Sequence, residues 1–199
     1  MKKIASLALA ICLACPLSAQ TIANMKDLTA GQKAAATSVK LTGTLSTRGN
    51  SDIRQLRDLC WQLKHVDLST ANCPTLPANA FHSRHRLESV VLPANLKSIG
   101  TQAFFACDAL KQLTLPATLE EVGAAAFSGC SSLENITIEG APRLGGFAFR
   151  GCNNLRSIKF LSKVPPQCDA TAFEGVDIEK CRLEVPAGSE ENYRRAEGW

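Results

Sequence analysis

The sequence predicts an α/β solenoid, a right-handed arc of about six stacked turns with a short parallel β-sheet on its concave face. Three observations predict it: phenylalanines recur at a nearly constant period, leucines recur at constant offsets from each phenylalanine, and both ends of the chain break the pattern. A single turn cannot bury its own apolar side, so stacked turns must share one core and divergent end segments must cover it.

Residues 1–19 are typical of a secretory signal peptide. Lys2 and Lys3 precede an apolar run that ends near Cys15 and is too short to span a bilayer, and small residues precede a cleavage site after Ala19. A second interpretation is acylation of Cys15, although Cys12 stands where a lipobox prefers an aliphatic residue. Both interpretations predict export to the cell surface, the extracellular space or the periplasm. Only the second predicts attachment to a membrane.

Net charge excludes one class of partner. The formal charge of +4 falls to +2 once Lys2 and Lys3 are removed. Because the remaining basic residues are dispersed along the chain, the sequence predicts no nucleic-acid partner.

Residues 20–62 are predicted to form an N-terminal capping region. Apolar residues alternate from Val39 to Leu45, which predicts an entry strand. Ile53, Leu56 and the Leu59–Cys60 pair then fall on one face of a helix, which Ser51 or Asp52 can cap.

Residues 63–185 are predicted to form the repeats, with a period of about 23. The anchoring residues are Phe81, Phe104, Phe127, Phe149 and Phe173, at spacings of 23, 23, 22 and 24. Between them, apolar residues alternate in strands predicted at 63–68, 87–92, 110–115, 133–138 and 155–160.

Each predicted strand is followed by a signal for a return turn. Pro93 and Pro116 end two of the strands. Apolar pairs spaced i and i+3, such as Leu96 and Ile99, predict a short helical turn on the convex side. Gly100 then permits the tight return.

The last segment, residues 186–199, is predicted to be a C-terminal cap. It follows a final strand at 182–185. A short helix capped by Ser189 is expected to turn Tyr193 inward.

Seven cysteines follow the predicted signal peptide, and most share positions with buried apolar residues of the repeat. Cys60, Cys107, Cys130 and Cys152 form one column, whereas Cys73 and Cys168 replace leucine or isoleucine. This predicts free, buried thiols. A disulfide between neighbours such as Cys107 and Cys130 stays an alternative, because stacked strands lie about 4.8 Å apart. Cys181 falls outside the core columns and is the best candidate for an exposed or paired thiol.

Motifs for catalysis or metal binding are weak. His82 and His85 are spaced i, i+3 with Glu88 nearby, which is half of a metal site at most, and a solvated turn is the favoured interpretation. The N-x-T sequon at Asn135 is interpreted as a chance match on a strand. The sequence therefore predicts no enzyme, no cofactor and no metal site.

The repeat A-F-x-x-C-x-x-L-x-x-I-x-L-P-x-x-L-x-x-I-G resembles the BspA-like (Treponema pallidum type) leucine-rich repeats of bacterial surface proteins. The residues that carry the resemblance are Ala103, Phe104, Cys107, Leu110, Leu113, Leu115, Pro116, Leu119, Val122, Gly123 and their copies. The closing "VPAGSEENYRRAEGW" is similar to the end of such arrays. Arg84 and Val176 depart from the pattern by replacing the repeat cysteine. The resemblance implies a secreted or cell-surface protein that adheres to host matrix or to other bacteria.

The concave sheet is the predicted binding face, since solenoids bind through extended surfaces. Its predicted ligand-binding residues are Ser89, Val91, Gln112, Thr114, Asn135, Thr137, Ser157 and Lys159. A third column, Lys64, Glu88, Lys111, Glu134 and Arg156, alternates in sign, which favours pairing between strands over a ligand footprint. The predicted function is a non-catalytic binding module for an unidentified protein or glycan. The alternative is a structural spacer without its own ligand.

Overall fold

The computed structural model describes residues 20–22, 25–46 and 51–196. The predicted signal peptide, the acylation site at Cys15 and the last three residues lie outside this part of the chain. In chain order the elements are β1 (Gln20–Ile22), a 3-10 turn (Met25–Asp27), α1 (Ala30–Ala35), β2 (Ser38–Leu41), β3 (Gly43–Thr44), α2 (Asp52–Leu59), β4 (His65–Asp67), β5 (Ala71–Asn72), β6 (Thr75–Leu76), β7 (Ser89–Val91), β8 (Ser98–Ile99), β9 (Gln112–Leu115), β10 (Glu121–Val122), β11 (Asn135–Ile138), β12 (Arg143–Leu144), β13 (Ser157–Phe160), β14 (Arg182–Glu184) and α3 (Glu190–Arg195).

The predicted fold class is confirmed, because the chain is a solenoid whose turns pair through parallel strands. The concave sheet has two hydrogen-bonded parts, with strand orders β1-β2-β4-β7 and β9-β11-β13-β14. The five predicted repeat strands are all present, although each begins two residues later than predicted. Strands β7 and β9 adjoin in space, yet they are not hydrogen-bonded partners in the described sheets. The sheet is therefore interrupted at one turn.

The opposite side of each turn differs from the prediction. The sequence predicts short helical turns there, and the structure instead forms a second parallel sheet of two-residue strands in the order β12-β10-β8-β6. Leu96 and Ile99 are buried as expected. The backbone, however, bonds to the neighbouring turn: the N–H of Gly123 donates to Ile99 O at 2.8 Å, and that of Glu120 donates to Lys97 O at 2.8 Å. Bonds between turns replace the bonds within a turn that a helix would need.

The phenylalanines form the spine of the core. Successive rings stack with centroids 5.0–5.3 Å apart and interplanar angles of 5–17°. Their backbones form a third ladder between turns, in which Phe104 N donates to Ala126 O at 2.7 Å and Phe127 N donates to Ala148 O at 2.8 Å. Identical residues at identical positions therefore hold the turns in register.

Close approach between turns, rather than a left-handed backbone, requires glycine at the return. A Cβ on Gly100 would collide with the backbone nitrogen of Ala78 and lie 2.7 Å from the carbonyl carbon of Pro77. A Cβ on Gly123 would lie 2.6 Å from Thr101 N. Neither glycine has a positive φ.

The N-terminal end is covered by a helical cap. Ser51 caps α2, since its Oγ accepts from Arg54 N at 3.1 Å. Asp52 is not the N-cap residue of α2. Its carboxylate instead links two other segments of the N-terminal region to the helix, because it accepts from Met25 N at 3.0 Å and from Ser46 N at 3.1 Å. Helix α1, which the sequence analysis does not predict, opens with a capping box formed by Thr29 and Gln32.

Helix α3 covers part of the C-terminal end. Tyr193 is buried as predicted; its ring packs on Phe160 at 5.2 Å, and its hydroxyl donates to Ser162 O at 2.9 Å. Ser189 precedes the helix as predicted, yet its hydroxyl caps nothing and donates to Pro186 O at 2.6 Å. Among the described helices, none is long and apolar enough to cross a membrane.

Candidate binding face

The outer surface of the concave sheet presents two columns of side chains, which are in register within each hydrogen-bonded part of the sheet. The first column runs through His65, Ser89, Gln112, Asn135 and Ser157, and the second runs through Asp67, Val91, Thr114, Thr137 and Lys159. Successive side chains of a strand point to opposite faces of the sheet, which causes this arrangement. Leu113, Ile136 and Ile158, which separate the two columns, point into the core. All eight predicted site residues therefore lie on one face of the sheet, and their role in binding stays a prediction.

Exposure of the columns varies along the arc. Gln112, Thr114, Asn135 and Lys159 are exposed, whereas Thr137 is partly buried by its neighbours. Val91 is half exposed and is the one apolar member of the eight predicted residues. The middle of the face thus offers hydroxyl and amide groups, and one end adds an apolar contact.

Charged groups pair at the N-terminal end of this face. Lys40 Nζ lies 2.9 Å from Asp67 Oδ2, which joins β2 of the cap to β4. Burial raises the pKa of Asp67, but hydrogen bonds from Ser69 and Lys40 outweigh it and lower the pKa overall. His65 Nδ1 lies 2.9 Å from Ser89 Oγ. These groups bond to one another across strands and leave less of their bonding capacity for a ligand.

The column of alternating sign forms one close ion pair in the described chain. Lys64 Nζ lies 2.9 Å from Glu88 Oε1, and this hydrogen bond lowers the pKa of Glu88. The next pair along the column, Glu88 and Lys111, spans the interruption between β7 and β9. The predicted pairing is therefore confirmed at one of the four adjacent positions of the column among the described residues, and an exposed pair of this kind contributes little stability.

The cysteines lie where the repeat predicts them. Cys60, Cys73, Cys107, Cys130 and Cys152 are fully buried, and all seven cysteines of the described chain are free thiols. The backbone of Cys168 pairs with that of Leu144 in an isolated parallel β-bridge, which confirms that Cys168 occupies the leucine and isoleucine column. Cys181 is partly buried against the core, so it is less exposed than predicted.

The thiols are suited to structure rather than nucleophilic chemistry. Burial raises the pKa of Cys107 and of Cys152 to about 12, and that of Cys60 to about 11. Each of three column thiols donates to the carbonyl of the phenylalanine in the preceding turn: Cys107 to Phe81, Cys130 to Phe104 and Cys152 to Phe127, at 3.1, 3.3 and 3.4 Å. The repeat pattern predicts these cysteines as small hydrophobic residues and gives no signal for this contact.

The two histidines do not converge. His82 stacks on Phe105 with ring centroids 5.0 Å apart, whereas His85 Nδ1 lies 3.1 Å from Asp108 Oδ1. Within the described ranges, no three potential ligands from histidine, cysteine, aspartate and glutamate come together as a metal site.

The fold and this face define the class of protein: the chain is a leucine-rich-repeat solenoid. The sequence pattern described as the BspA type Leucine rich repeat region matches residues 74–189 in 6 copies, and the chain belongs to this family. No curated protein matches the chain.

Several solved structures are similar to this chain. A leucine-rich repeat protein from Bacteroides ovatus is 24% identical with a TM-score of 0.49, over 75% of this chain and 40% of that one. The Treponema pallidum leucine-rich repeat protein is 24% identical with a TM-score of 0.48, over 64% of this chain and 61% of that one. The pneumococcal vaccine antigen PcpA is 20% identical with a TM-score of 0.50, over 77% of this chain and 35% of that one. The chain thus spans less than two thirds of each of these proteins.

Proposed function

We propose that this protein is an exported, non-catalytic binding module that holds a protein or glycan against its concave face. The observation that carries the proposal is the pair of columns in which Gln112, Asn135 and Ser157 lie beside Thr114, Thr137 and Lys159 in strict register. Such a surface repeats the same hydrogen-bonding groups at the spacing of the strands, about 4.8 Å. A ligand with repeated polar groups can engage several turns at once.

The chemistry of the face favours weak, repeated contacts. The predicted site residues include no tryptophan, tyrosine or arginine, which are the side chains that anchor high-affinity protein interfaces. Hydroxyl and amide groups suit a glycan or an extended polar peptide. Affinity would then come from the number of turns engaged rather than from one anchor.

The experiment combines a glycan array and a panel of matrix proteins with charged substitutions on the face. Gln112→Glu with Asn135→Glu, and Thr114→Glu with Thr137→Glu, are expected to weaken any binding about tenfold or more, because carboxylates replace the amide and hydroxyl groups that would donate hydrogen bonds to the ligand. Binding that survives both double substitutions would overturn the assignment of the concave face.

A matched control lies on the opposite sheet. Thr75→Glu with Ser98→Glu places the same charges on adjacent strands β6 and β8, where the two hydroxyls lie 3.2 Å apart. This variant should bind like the unmodified protein. If the unmodified protein binds no member of either panel, the result favours the alternative of a structural spacer without its own ligand.

A further inference from the structure

The C-terminal end of the solenoid carries an apolar groove of about 510 Å³. Ile178 and Leu183 are 80% and 47% exposed there, which is unusual for large aliphatic side chains beside a core. The groove is lined by Ile158, Ala170, Phe173, Glu174, Val176, Ile178, Cys181 and Leu183. Exposed apolar residues that cluster in this way mark an interaction surface.

The two ends of the solenoid differ. At the N-terminal end the helical cap buries Met25, Leu28 and Ala36. At the C-terminal end, α3 packs near Phe160 and Ser162 and leaves the groove open in the described part of the chain. The groove therefore continues the surface through which successive turns stack on one another.

Strand β14 forms the edge of the concave sheet beside this groove. It pairs with β13 on one side, and no described strand pairs with its other side. The N–H of Arg182 points toward β13, where it donates to Arg156 O at 2.7 Å. Because successive residues of a strand direct their backbone groups to opposite sides, the N–H and C=O of Leu183 point outward. These two groups are free to exchange hydrogen bonds with an antiparallel strand.

The sequence of β14 is complementary to itself in that orientation. When two copies of β14 pair antiparallel about Leu183, Arg182 of each copy lies opposite Glu184 of the other copy. The dimer therefore contains two such Arg–Glu pairs. Within one chain the same two side chains already form an ion pair, with Arg182 Nε 3.4 Å from Glu184 Oε1. Both lie on the concave surface, whereas Leu183 pairs with Ile158 on the core side. The charges and the apolar residue therefore fall on the correct faces for pairing with an identical strand.

We propose that β14 pairs antiparallel with β14 of a second copy of this chain, which forms a twofold dimer through the C-terminal ends. The pairing joins the two concave sheets into one and places the two Leu183 side chains next to each other. It also brings the two apolar grooves together, so that each copy covers Ile178 of the other. A symmetric contact of this kind uses the same patch on both subunits and closes after two copies.

Head-to-tail stacking is less favourable for this chain. It would pair β14 with β1, whose sequence Gln20–Ile22 has no charged residue to oppose Arg182 and Glu184. It would also place the apolar groove against the end covered by the helical cap. An open filament is therefore an outcome that contradicts the proposal.

Sedimentation velocity over a range of concentrations tests the dimer with the protein purified after cleavage of its predicted signal peptide. The unmodified protein should show a monomer–dimer equilibrium. Arg182→Glu or Glu184→Arg alone should raise the dimer dissociation constant about tenfold, because each substitution creates two like-charge pairs. The double substitution restores opposite charges and should return the dissociation constant to within about threefold of the original.

The charge-swapped pair makes the test decisive, since both single variants and the double variant alter the same exposed side chains. A protein that remains monomeric at high concentration, or a double variant no better than the single ones, would overturn the proposal. Circular dichroism melting of each variant checks that the last turn stays folded. A monomer whose groove is covered by another segment or by a different protein counts against the twofold dimer.

Cross-linking tests the register. In a Cys181→Ser background, Leu183→Cys should form a disulfide-linked dimer on mild oxidation, because the two substituted residues face each other within the range a disulfide can bridge. Thr114→Cys, on the same sheet but three strands away from the edge, is the matched control and should stay monomeric. Equal cross-linking of the two variants would indicate random collision and contradict the pairing.

Discussion

Each cysteine of the central column does more than fill space. The thiols of Cys107, Cys130 and Cys152 donate to phenylalanine carbonyls of the preceding turn. Those carbonyls already accept a backbone bond within their own turn: Cys107 N, for example, donates to Phe104 O at 3.2 Å. Each of these phenylalanine carbonyls therefore accepts two hydrogen bonds: one from a backbone N–H of its own turn and one from the cysteine thiol of the next turn.

Replacing a column cysteine by alanine should cost stability. Cys107→Ala removes the thiol contact with Phe81 O and leaves a small cavity, and we expect the free energy of unfolding to fall by about 1–2 kcal/mol. Cys181→Ala is the control, because Cys181 is only partly buried and should change stability by less than about 0.5 kcal/mol. Urea unfolding of both variants measures the difference. Equal losses would show that the column contact contributes nothing specific.

Thiol reactivity tests the cysteine assignment directly. Since burial raises the pKa of Cys107 to about 12, its thiolate is scarce near pH 8, and burial also blocks access. We expect the five fully buried thiols to react slowly with a disulfide reagent in the folded protein, and the partly exposed Cys181 to react first; burial also raises the pKa of Cys168 to about 12, so it should react more slowly than Cys181. Rates should rise with pH as thiolate forms. A total of fewer than five free thiols after unfolding without reductant would refute the free-thiol interpretation.

At the scale of the element, the return turns depend on glycine for space. Gly100→Ala would force a Cβ into the backbone of Ala78, which cannot move without shifting the previous turn. We expect a loss of more than about 2 kcal/mol. Gly31→Ala is the control, because Gly31 is exposed in α1 and has nothing within 4 Å of the added Cβ.

Thermal unfolding distinguishes the two glycine variants. Gly31→Ala should be neutral or should stabilise by about 0.5–1 kcal/mol, because alanine favours a helix over glycine. A Gly100→Ala protein as stable as the unmodified one would mean that neighbouring turns can separate at little cost.

Arg84 interrupts the cysteine column of the array. It occupies the cysteine column between Cys60 and Cys107, and its Nε is buried without a hydrogen-bond partner among the described residues. The interruption of the concave sheet, between β7 and β9, occurs at this same repeat. A long charged side chain therefore replaces the small thiol where the sheet loses its hydrogen bonds.

Arg84→Cys should stabilise the protein by about 1 kcal/mol, because it removes a buried unsatisfied donor and restores the repeat residue. The midpoint of urea unfolding measures the change. Arg86→Ser is the control: Arg86 is exposed and bonds to Gln62 Oε1 at 2.7 Å, so its loss should change little. A destabilised Arg84→Cys protein would indicate that Arg84 forms a useful contact in solution.

The sequence predicts most elements of this fold because the same pattern recurs in several turns, so a segment whose structure is ambiguous in one turn can be assigned from its copies. The strand ending at Leu115 and the inward phenylalanines follow from a pattern that occurs five times. The two-residue strands are different, because the spacing of Leu96 and Ile99 suits both a helical turn and a strand edge. Only the neighbouring turn, which supplies the acceptor at Ile99 O for Gly123 N, decides between them. Helix α1 was detectable from Thr29 and Gln32, which have capping-box spacing.

The candidate site is also predictable from the sequence only in part. Alternation along the strands suffices to place Gln112 and Asn135 side by side on the concave face, as the observed register confirms. The apolar groove beside Leu183 could not be predicted, because a leucine in a repeat strand is expected to be buried. It is half exposed only because no described turn stacks beyond it.

At the scale of the whole molecule, stability is shared along a column of stacked rings, which continues across the turn where the concave sheet is interrupted. Most tertiary contacts link adjacent turns, so the chain approaches a one-dimensional array in which each interface couples two neighbours. The N-terminal cap is part of this array: Lys33 Nζ donates to Gln55 Oε1 at 2.8 Å in the buried contact between α1 and α2. Damage at the middle of such an array should separate its halves rather than weaken all turns equally.

Phe127 is the residue at which this coupling can be tested. Its ring lies 5.0 Å from Phe104 and 5.3 Å from Phe149, at the centre of the stack. Phe127→Ala should lower stability by about 3–5 kcal/mol and break the coupling between the turns on either side. Hydrogen exchange followed by mass spectrometry should then show different protection in residues 38–115 and 133–196, whereas the unmodified protein protects both segments together. Phe105→Ala, which removes a half-buried ring outside the stack, should keep the two segments coupled. If both segments of the Phe127→Ala protein lost protection equally, the molecule would be a single cooperative unit, and the phenylalanine column would not be what transmits stability from turn to turn.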